Sequence, residues 1–277
     1  MIDLHLHTTA SDGRLTPTEL VARAAASGVR ILAVTDHDTT DGMDEAAAEA
    51  ARRDLVTVPG IEITAVENGR DVHMLGYFFD PLEESLVQFL VGQRLTRITR
   101  IADMAAHLAQ LGLPVDVQPL LDDARKHNHK SIGRPALARA MIAAGHVETT
   151  NEAFDKWLGQ GCPAFVERVG PSPEDVIRTL HRAGGIVSLA HPGRTKIDGR
   201  IAALRDAGLD AIEAYHSDHD AETTHGYLAL ARGLDLLVTG GSDFHGDPAH
   251  GLEPGASTLP QLEWERLSGA RMKHGGR

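Results

Sequence analysis

Nine side chains in this sequence are of types that ligate metal ions, and each stands at or near the end of a short apolar run. They are His5 and His7 in His5-Leu6-His7, Asp12 in Ser11-Asp12-Gly13, His37 in Thr35-Asp36-His37, Glu62 in Gly60-Ile61-Glu62, His73 in Asp71-Val72-His73, His191 in Ala190-His191-Pro192, and Asp243 and His245 in Ser242-Asp243-Phe244-His245. A lone histidine in an apolar setting reads first as a satisfied core residue. Nine ionisable groups at strand ends are harder to bury, because each needs a partner, and a cluster of metal ions would partner all of them together. His5 and His7 are two apart on a strand, so both side chains leave the same face and one metal can take both imidazoles. Asp243 and His245 repeat that spacing after the last run, where Gly240-Gly241 lets the backbone come close. Glu62 is placed as a bridging carboxylate. A donor set of imidazoles and carboxylates suits manganese, zinc or iron.

The elements that must carry these residues are seven β-like runs, Ile2–His7, Ile31–Thr35, Val56–Ile63, Val72–Phe79, Ile186–Ala190, Ala211–Tyr215 and Leu236–Thr239. Helical patterns separate most of them. Pro17–Ser27 starts on an N1 proline after Thr16, which can cap it, and ends at Gly28. Asp41–Arg53 carries acidic residues in its first turn, as the helix dipole prefers. Pro173–Ala183 and Asp198–Ala207 end at glycines. Repeated strand–helix–strand alternation predicts a parallel sheet with helical crossovers, an α/β barrel one unit short of eight. The rhythm breaks between Leu82 and Pro163, where only the helical patterns Leu95–Leu111, Val117–His127, Arg134–Ala144 and Glu152–Leu158 occur. The expected organisation is barrel over 1–81, a helical insertion or cap over 82–163, and barrel again over 164–277, with the cap lying over the C-terminal mouth.

At 277 residues the chain can bury a substantial core, and its formal charge of -12 argues against broad adhesion to nucleic acid or anionic membrane. Three divalent cations would add about six positive charges to one pocket and invert the local field, so a phosphorylated small ligand stays compatible with that charge. Cys162 is the only cysteine, which excludes an intramolecular disulfide and a thiolate zinc site. No apolar run approaches the ~20 residues of a membrane span, and the N-terminus enters a strand without a basic leader. The expectation is a cytoplasmic protein with no membrane partner. Aromatic residues make up 4% of the chain, too few to stack a long single strand, so short substrates are expected. Phe78, Phe79, Tyr215 or Phe244 is the expected base-stacking residue.

The strings HLHTTASDG, AVTDHDTTDG, PGIEIT, VHMLGY, SLAHPGR and GGSDFHG, in that order over residues 1–79 and 165–247, resemble the motifs of the PHP (polymerase and histidinol phosphatase) family of metal-dependent phosphoesterases. The resemblance implies a distorted seven-stranded barrel, a (β/α)7 PHP fold, holding three divalent metal ions, manganese first with zinc or iron as alternatives. It implies one metal on His5, His7, Glu62 and Asp243, a second on Glu62, His73 and His245, and a third on Asp12, His37 and His191. The SDG form with Asp12, together with a helical insertion, is similar to the subgroup of 3′,5′-nucleotide bisphosphate phosphatases and 5′→3′ exonucleases of short RNA. The implied reaction is attack of metal-bound hydroxide on phosphorus, since bound water has its pKa brought toward ~7. Competing expectations are a phosphatase for histidinol phosphate or a sugar phosphate, and a metal-binding PHP domain without catalysis.

Outside the metal set, Lys130, Ser131 and Arg134 in HNHKSIGRPALAR read as phosphate ligands carried by the insertion, and Arg194 after the HPG turn as a fourth. Arg134 opens a helix, where backbone N–H groups favour an anion. His216 is the candidate proton donor to the leaving group, or a substrate ligand, alongside Asp243 and His191 in the catalytic set. Asp36 reads as a buried partner, and Asp38 as a carboxylate orienting an imidazole. Arg94, Arg97 and Arg100 recur at helical spacing, read as a solvated helix face before an RNA-facing stripe. His107, His127, His129, His146, His181, His219, His225, His250 and His274 read as surface or helix residues, and the basic tail Lys273–Arg277 as frayed. The expected partner is a small phosphorylated nucleotide or short RNA, with no stable long nucleic acid; the sequence leaves the oligomeric state open.

Overall fold

Period-two alternation on β1 (Ile2–Leu6) does the first positioning: His5 and, just past the strand, His7 turn into the barrel, while Leu6 packs outward on Leu20, Val21 and Ala24. The computed structural model describes residues 1–126, 130–247 and 251–274, with backbone alone from 271 to 274. His127, His129, His250 and residues 275–277 lie outside the described residues.

After β1 come α1 (Pro17–Ala26), β2 (Ile31–Val34), α2 (Met43–Arg52), β3 (Val56–Glu67) and β4 (Arg70–Tyr77). The second half holds α7 (Pro173–Arg182), β5 (Ile186–Leu189), α8 (Pro192–Thr195), α9 (Asp198–Asp206), β6 (Ala211–His216), α10 (Ala221–Leu234), β7 (Leu237–Gly241) and α11 (Gln261–His274). The seven strands stand in chain order in one sheet. Its ends meet through a parallel bridge of Leu6 to Phe244, with His7 N–H donating to the Phe244 carbonyl at 3.0 Å. Gly241 permits the closure, because a Cβ there would lie 2.4 Å from the His5 nitrogen. The result is a nearly closed seven-stranded α/β barrel.

Two expectations about this sheet need correction. It is not wholly parallel: β3–β4 and β4–β5 are antiparallel. β3 also runs four residues past its expected end, and Asn68-Gly69, both at positive φ, turn it directly into β4. An Asn-Gly pair supplies the two left-handed residues of a tight hairpin turn, so no helix crosses between these strands. The helices at Pro17, Pro173 and Asp198 start where expected, whereas the one expected from Leu95 starts at Glu84. Thr16 forms a capping box with Glu19 at α1, and Ser172 forms one with Asp175 at α7.

The insertion consists of α3 (Glu84–Gln110), α4 (Gln118–Lys126), α5 (Arg134–Ala143), α6 (Thr150–Ala153) and a π-helical turn (Phe154–Leu158). Leu86 and Leu90 of α3 are buried in the barrel core, whereas Ile98, Ile101, Met104 and Leu108 join a separate core with Leu121, Leu137, Met141 and Leu158. One helix therefore serves both bodies. No helix among the described residues is long and apolar enough to cross a membrane.

Candidate metal centre and its arginine wall

At the strand ends four donor atoms converge. His5 Nε2 lies 3.3 Å from Glu62 Oε2 and 3.2 Å from Asp243 Oδ1, and His7 Nε2 lies 3.2 Å from each of the same two oxygens. This is the expected first group. Glu62, 1% exposed, turns its other oxygen to His73 Nδ1 at 2.9 Å and His191 Nε2 at 3.0 Å. Asp12 stands 3.2 Å from His245 Nε2, 3.7 Å from His37 Nε2 and 3.8 Å from His7 Nδ1. All nine candidates are thus brought together, but two exchange places: His191 joins Glu62 and His73, and His245 joins Asp12 and His37. Barrel closure is the reason. The loop after β7 lies beside the loop after β1, where Arg14 N–H donates to the His245 carbonyl at 2.8 Å, while β5 neighbours β4 and delivers His191 next to His73.

The cluster is built under backbone constraint. His191, Asp243 and Asp38 all have positive φ, at 26°, 54° and 53°, a region that few non-glycine residues adopt. Gly13 is required because a Cβ would meet the His7 carbonyl oxygen at 2.4 Å.

Five buried imidazole nitrogens, His5 Nε2, both of His7, His37 Nδ1 and His191 Nδ1, and Glu62 Oε2 make no hydrogen bond among the described residues. Buried polar atoms are almost always satisfied. A convergent set of lone pairs from imidazole and carboxylate is the donor set of a hard-to-borderline divalent cation, so these residues fit a metal. Protons take up part of that role in the metal-free protein. Burial pushes the His7 imidazole down, but the Asp243 and Glu62 carboxylates, each 3.2 Å from its Nε2, outweigh it and hold the pKa at about 10. Burial dominates at His37 and lowers it to about 3. Burial would raise Glu62, yet the surrounding histidines, His37 first, hold it well below the usual carboxylate range.

Beyond the cluster opens a cavity of about 740 Å³, lined by seven arginines, Arg14, Arg97, Arg100, Arg134, Arg139, Arg168 and Arg194, and seven carboxylates, Asp12, Glu62, Asp71, Asp155, Asp218, Asp243 and Asp247. Asp71 and His73 are two apart on β4, which places the Asp71 group about 7 Å along the strand from the histidine. Arg100, Arg134 and Arg168 gather on Asp71 at 3.5, 3.2 and 3.3 Å. Burial would push Asp71 up, and these guanidiniums, Arg168 first, hold it down at about 2. Beneath them the wholly buried Asp38 accepts from Arg97 Nε at 2.5 Å and from the Thr64 N–H at 2.9 Å, with Arg168 at 3.8 Å. Burial and the neighbouring Arg97 pull Arg168 down to about 9, which leaves it charged at neutral pH.

Arg134 and Arg194 line the cavity as expected; Arg194 also reaches Asp243 Oδ2 at 3.2 Å. Ser131 is 1% exposed and its Oγ makes no hydrogen bond among the described residues. Lys130 is not brought to the site. Its ammonium is neutralised by Asp123 at 2.7 Å, and it is not among the lining residues. His216 is also displaced from its expected role. It is buried behind Asp243, with Nε2 3.4 Å from Oδ2, and its Nδ1 accepts the Asp218 N–H at 3.0 Å; the cavity surface passes instead to Ser217 and Asp218. Asp38 orients arginines rather than an imidazole, whereas Asp36 is the expected buried partner, accepting from Thr8 and Ser11.

Arg94, Arg97 and Arg100 are buried at 8, 6 and 7% exposure, not solvated. The signal was legible: they continue the apolar stripe Leu86–Leu90–Ile98–Ile101, so their face is the buried one. Among the four aromatics expected to stack on a base, Phe244 reaches the cavity, and Phe154, under the Arg134 guanidinium at 5.6 Å, was not anticipated.

Residues 3–132 match the PHP domain family. The chain is 36% identical over 269 residues to the 3′,5′-nucleoside bisphosphate phosphatase of Chromobacterium violaceum, covering 94% of this chain and 93% of that protein. The chain belongs to the PHP domain family. The 5′-3′ exoribonuclease of Haemophilus influenzae is 35% identical over 248 residues, covering 88% and 89% of the two chains. Among solved structures, a protein of Bifidobacterium adolescentis described as a metal-dependent phosphoesterase superposes with a TM-score of 0.88 at 34% identity, over 97% of this chain and 95% of that one.

Proposed function

We propose that this PHP-family phosphoesterase hydrolyses small nucleotides carrying two separated phosphates, removing the 3′-phosphate of a nucleoside 3′,5′-bisphosphate, and that the same site releases 5′-mononucleotides from short 5′-phosphorylated RNA. The observation that carries this reading is the pairing, inside one cavity, of the histidine–carboxylate cluster with the arginine group on Asp71. Their offset along β4 is on the scale of the distance that one ribose puts between its 3′ and 5′ phosphates. The names of the Chromobacterium and Haemophilus relatives support the same class of substrate.

Three donor groups suggest three divalent ions, with manganese the first candidate for this nitrogen and oxygen set: His5, His7, Glu62 and Asp243; Glu62 and His73, with His37 and His191 each against a Glu62 oxygen; and Asp12, His37 and His245, with His7 beside them. Bound there, the ions supply Lewis-acid polarisation of the phosphoryl group and acidify water. The remaining roles belong to the chain. Arg194, beside Asp243, neutralises charge on the phosphate presented to the cluster. Arg134 and Arg100, whose Nη2 makes no hydrogen bond among the described residues, grip the second anion. Phe154 and Phe244 offer apolar faces to the base or ribose. The cap residues Arg134, Arg139 and Asn151 roof the cavity and restrict it to short substrates.

The deciding experiment is product analysis. Manganese-loaded protein is given adenosine 3′,5′-bisphosphate and a 5′-phosphorylated RNA trimer in parallel, with EDTA controls. Metal-dependent orthophosphate and AMP from the first establish the bisphosphatase, and 5′-mononucleotides from the second add the exonuclease. Survival of both substrates overturns the nucleotide reading and turns the screen to sugar phosphates and histidinol phosphate.

A further inference from the structure

Glu213 lies on β6, wholly buried and not among the residues that line the cavity, and none of the roles above uses it. Its two oxygens are engaged by two different members of the cluster. Oε1 is 2.9 Å from His5 Nδ1, and Oε2 accepts the His191 backbone N–H at 2.8 Å. Those residues serve different donor groups, His5 the one centred on Asp243 and His191 the one shared with His73.

We infer that Glu213 is a positioning residue that sets the ring tautomer of His5 and the backbone of His191 together, and so prepares both donor groups for their metals. An ionised carboxylate only accepts. The nitrogen of His5 facing it must therefore carry hydrogen, which leaves the lone pair on Nε2, the atom directed at Glu62 Oε2 and Asp243 Oδ1. A ring N–H held by a carboxylate behind a metal-binding imidazole fixes orientation and raises ligand basicity. His7 has no such partner, since neither of its ring nitrogens makes a hydrogen bond among the described residues. At His191 the second oxygen restrains a backbone at φ 26° and ψ 61°, which an L-residue adopts only when its surroundings impose it. Glu213 meets His5 through Nδ1, not through the Nε2 directed at Glu62 and Asp243, so it serves a ligand of that donor group from behind.

The two-acceptor requirement makes Glu213→Gln a sharp test, because glutamine has one acceptor. If its carbonyl keeps the His191 N–H, its amide N–H2 faces His5 Nδ1 and forces hydrogen onto Nε2, the ligating atom. Glu213→Asp retains two acceptors. The inference rests on the cluster being a metal site, so the readouts are chosen to separate the two ideas. They are zinc stoichiometry and affinity by calorimetry, and the protonation of the His5 ring by ¹⁵N NMR of the zinc-loaded full chain.

In the unmodified protein we expect hydrogen on His5 Nδ1. In Glu213→Gln we expect hydrogen on Nε2 with affinity at that group weakened about 10–100-fold, and in Glu213→Asp recovery of the original ring state with most of the affinity. A hydrogen-free Nδ1 in the unmodified protein overturns the inference without any variant. So does Glu213→Gln with unchanged affinity and ring state, while the metal reading then stands. An unmodified protein that takes up neither zinc nor manganese overturns both.

Discussion

Asp38→Asn isolates one carboxylate on which the arginine wall depends. Asp38 is 0% exposed, and the side chains facing it include two guanidiniums that are themselves buried, Arg97 at 6% and Arg168 at 8%. Asparagine has the same shape but no charge, and only one of its two terminal atoms accepts. If that oxygen keeps Arg97 Nε, the amide N–H2 opposes the Thr64 N–H, donor against donor; the reverse flip opposes Arg97 instead. Removing one partner of a buried ion pair costs roughly 3–5 kcal/mol, because the other charge stays buried. That is a large share of the ~5–15 kcal/mol of a typical domain, and it lowers the melting temperature by about 10 °C. The assay is calorimetric and urea unfolding of metal-free protein, so that metal binding does not enter.

The pH dependence supplies a second check on the same variant. Burial would raise Asp38, but Arg97 and Arg168 hold its folded pKa below the ordinary value. Its contribution is therefore present above the unfolded carboxylate pKa near ~3.9 and is lost as pH falls through the lower folded value. The gap between the two proteins should be full at pH 6 and narrow under acid. A loss under about 1 kcal/mol at pH 6, or a gap that widens in acid, would refute the assignment of Asp38 as the anchor of Arg97 and Arg168.

Four further outcomes are expected. Asp12→Ala should cost the metal held with His37 and His245 and cut turnover at least ~100-fold, and near-normal turnover with three metals counted by mass spectrometry would remove Asp12 from the ligand set. Arg134→Ala should raise KM for a nucleoside bisphosphate more than for a generic aryl phosphate, with equal rises dismissing it from recognition of the second anion. His7, held at about 10 by Asp243 and Glu62 against burial, contributes stability to the metal-free protein that is complete below pH ~6.5 and lost as pH rises from there through its folded pKa of about 10; unfolding midpoints that climb between pH 8 and 10 would contradict this. Metal loading must displace the His7 proton, so calorimetry in buffers of different ionisation enthalpy should show proton release at pH 7, and heats independent of buffer would count against it.

The ligand types were legible in the sequence because HxH on a strand and a glycine-flanked Asp-x-His need no long-range information to be read. Their grouping was not. Whether His191 or His245 stands beside Asp12 depends on which strand ends are neighbours once β7 meets β1, a property of closure rather than of any local pattern. The β3–β4 hairpin was written plainly in Asn68-Gly69 but was overridden by the strand–helix rhythm around it. The arginines of α3 read as solvated by their charge alone, although Arg97 and Arg100 fall on the turns that Leu90 and Ile101 bury. Lys130 shows the converse limit, since its ammonium meets Asp123 on α4, a contact that the string around it does not reveal.

The continuity of α3 through both cores has a consequence for how this enzyme can diversify. Its 27 residues form a beam about 40 Å long, clamped to the barrel by Gln93, Arg94, Arg97 and Arg100 and carrying the roof at its far end. Adding or deleting one residue within the clamped stretch turns everything beyond it by about 100°, which would swing the roof off the cavity. Changes of chain length are therefore confined to the connections after Gln110, while along the beam only exchanges of side chain are tolerated. New specificities should arise there by substitution at fixed phase, with the helix acting as a keyed shaft between the chemistry below and the recognition above.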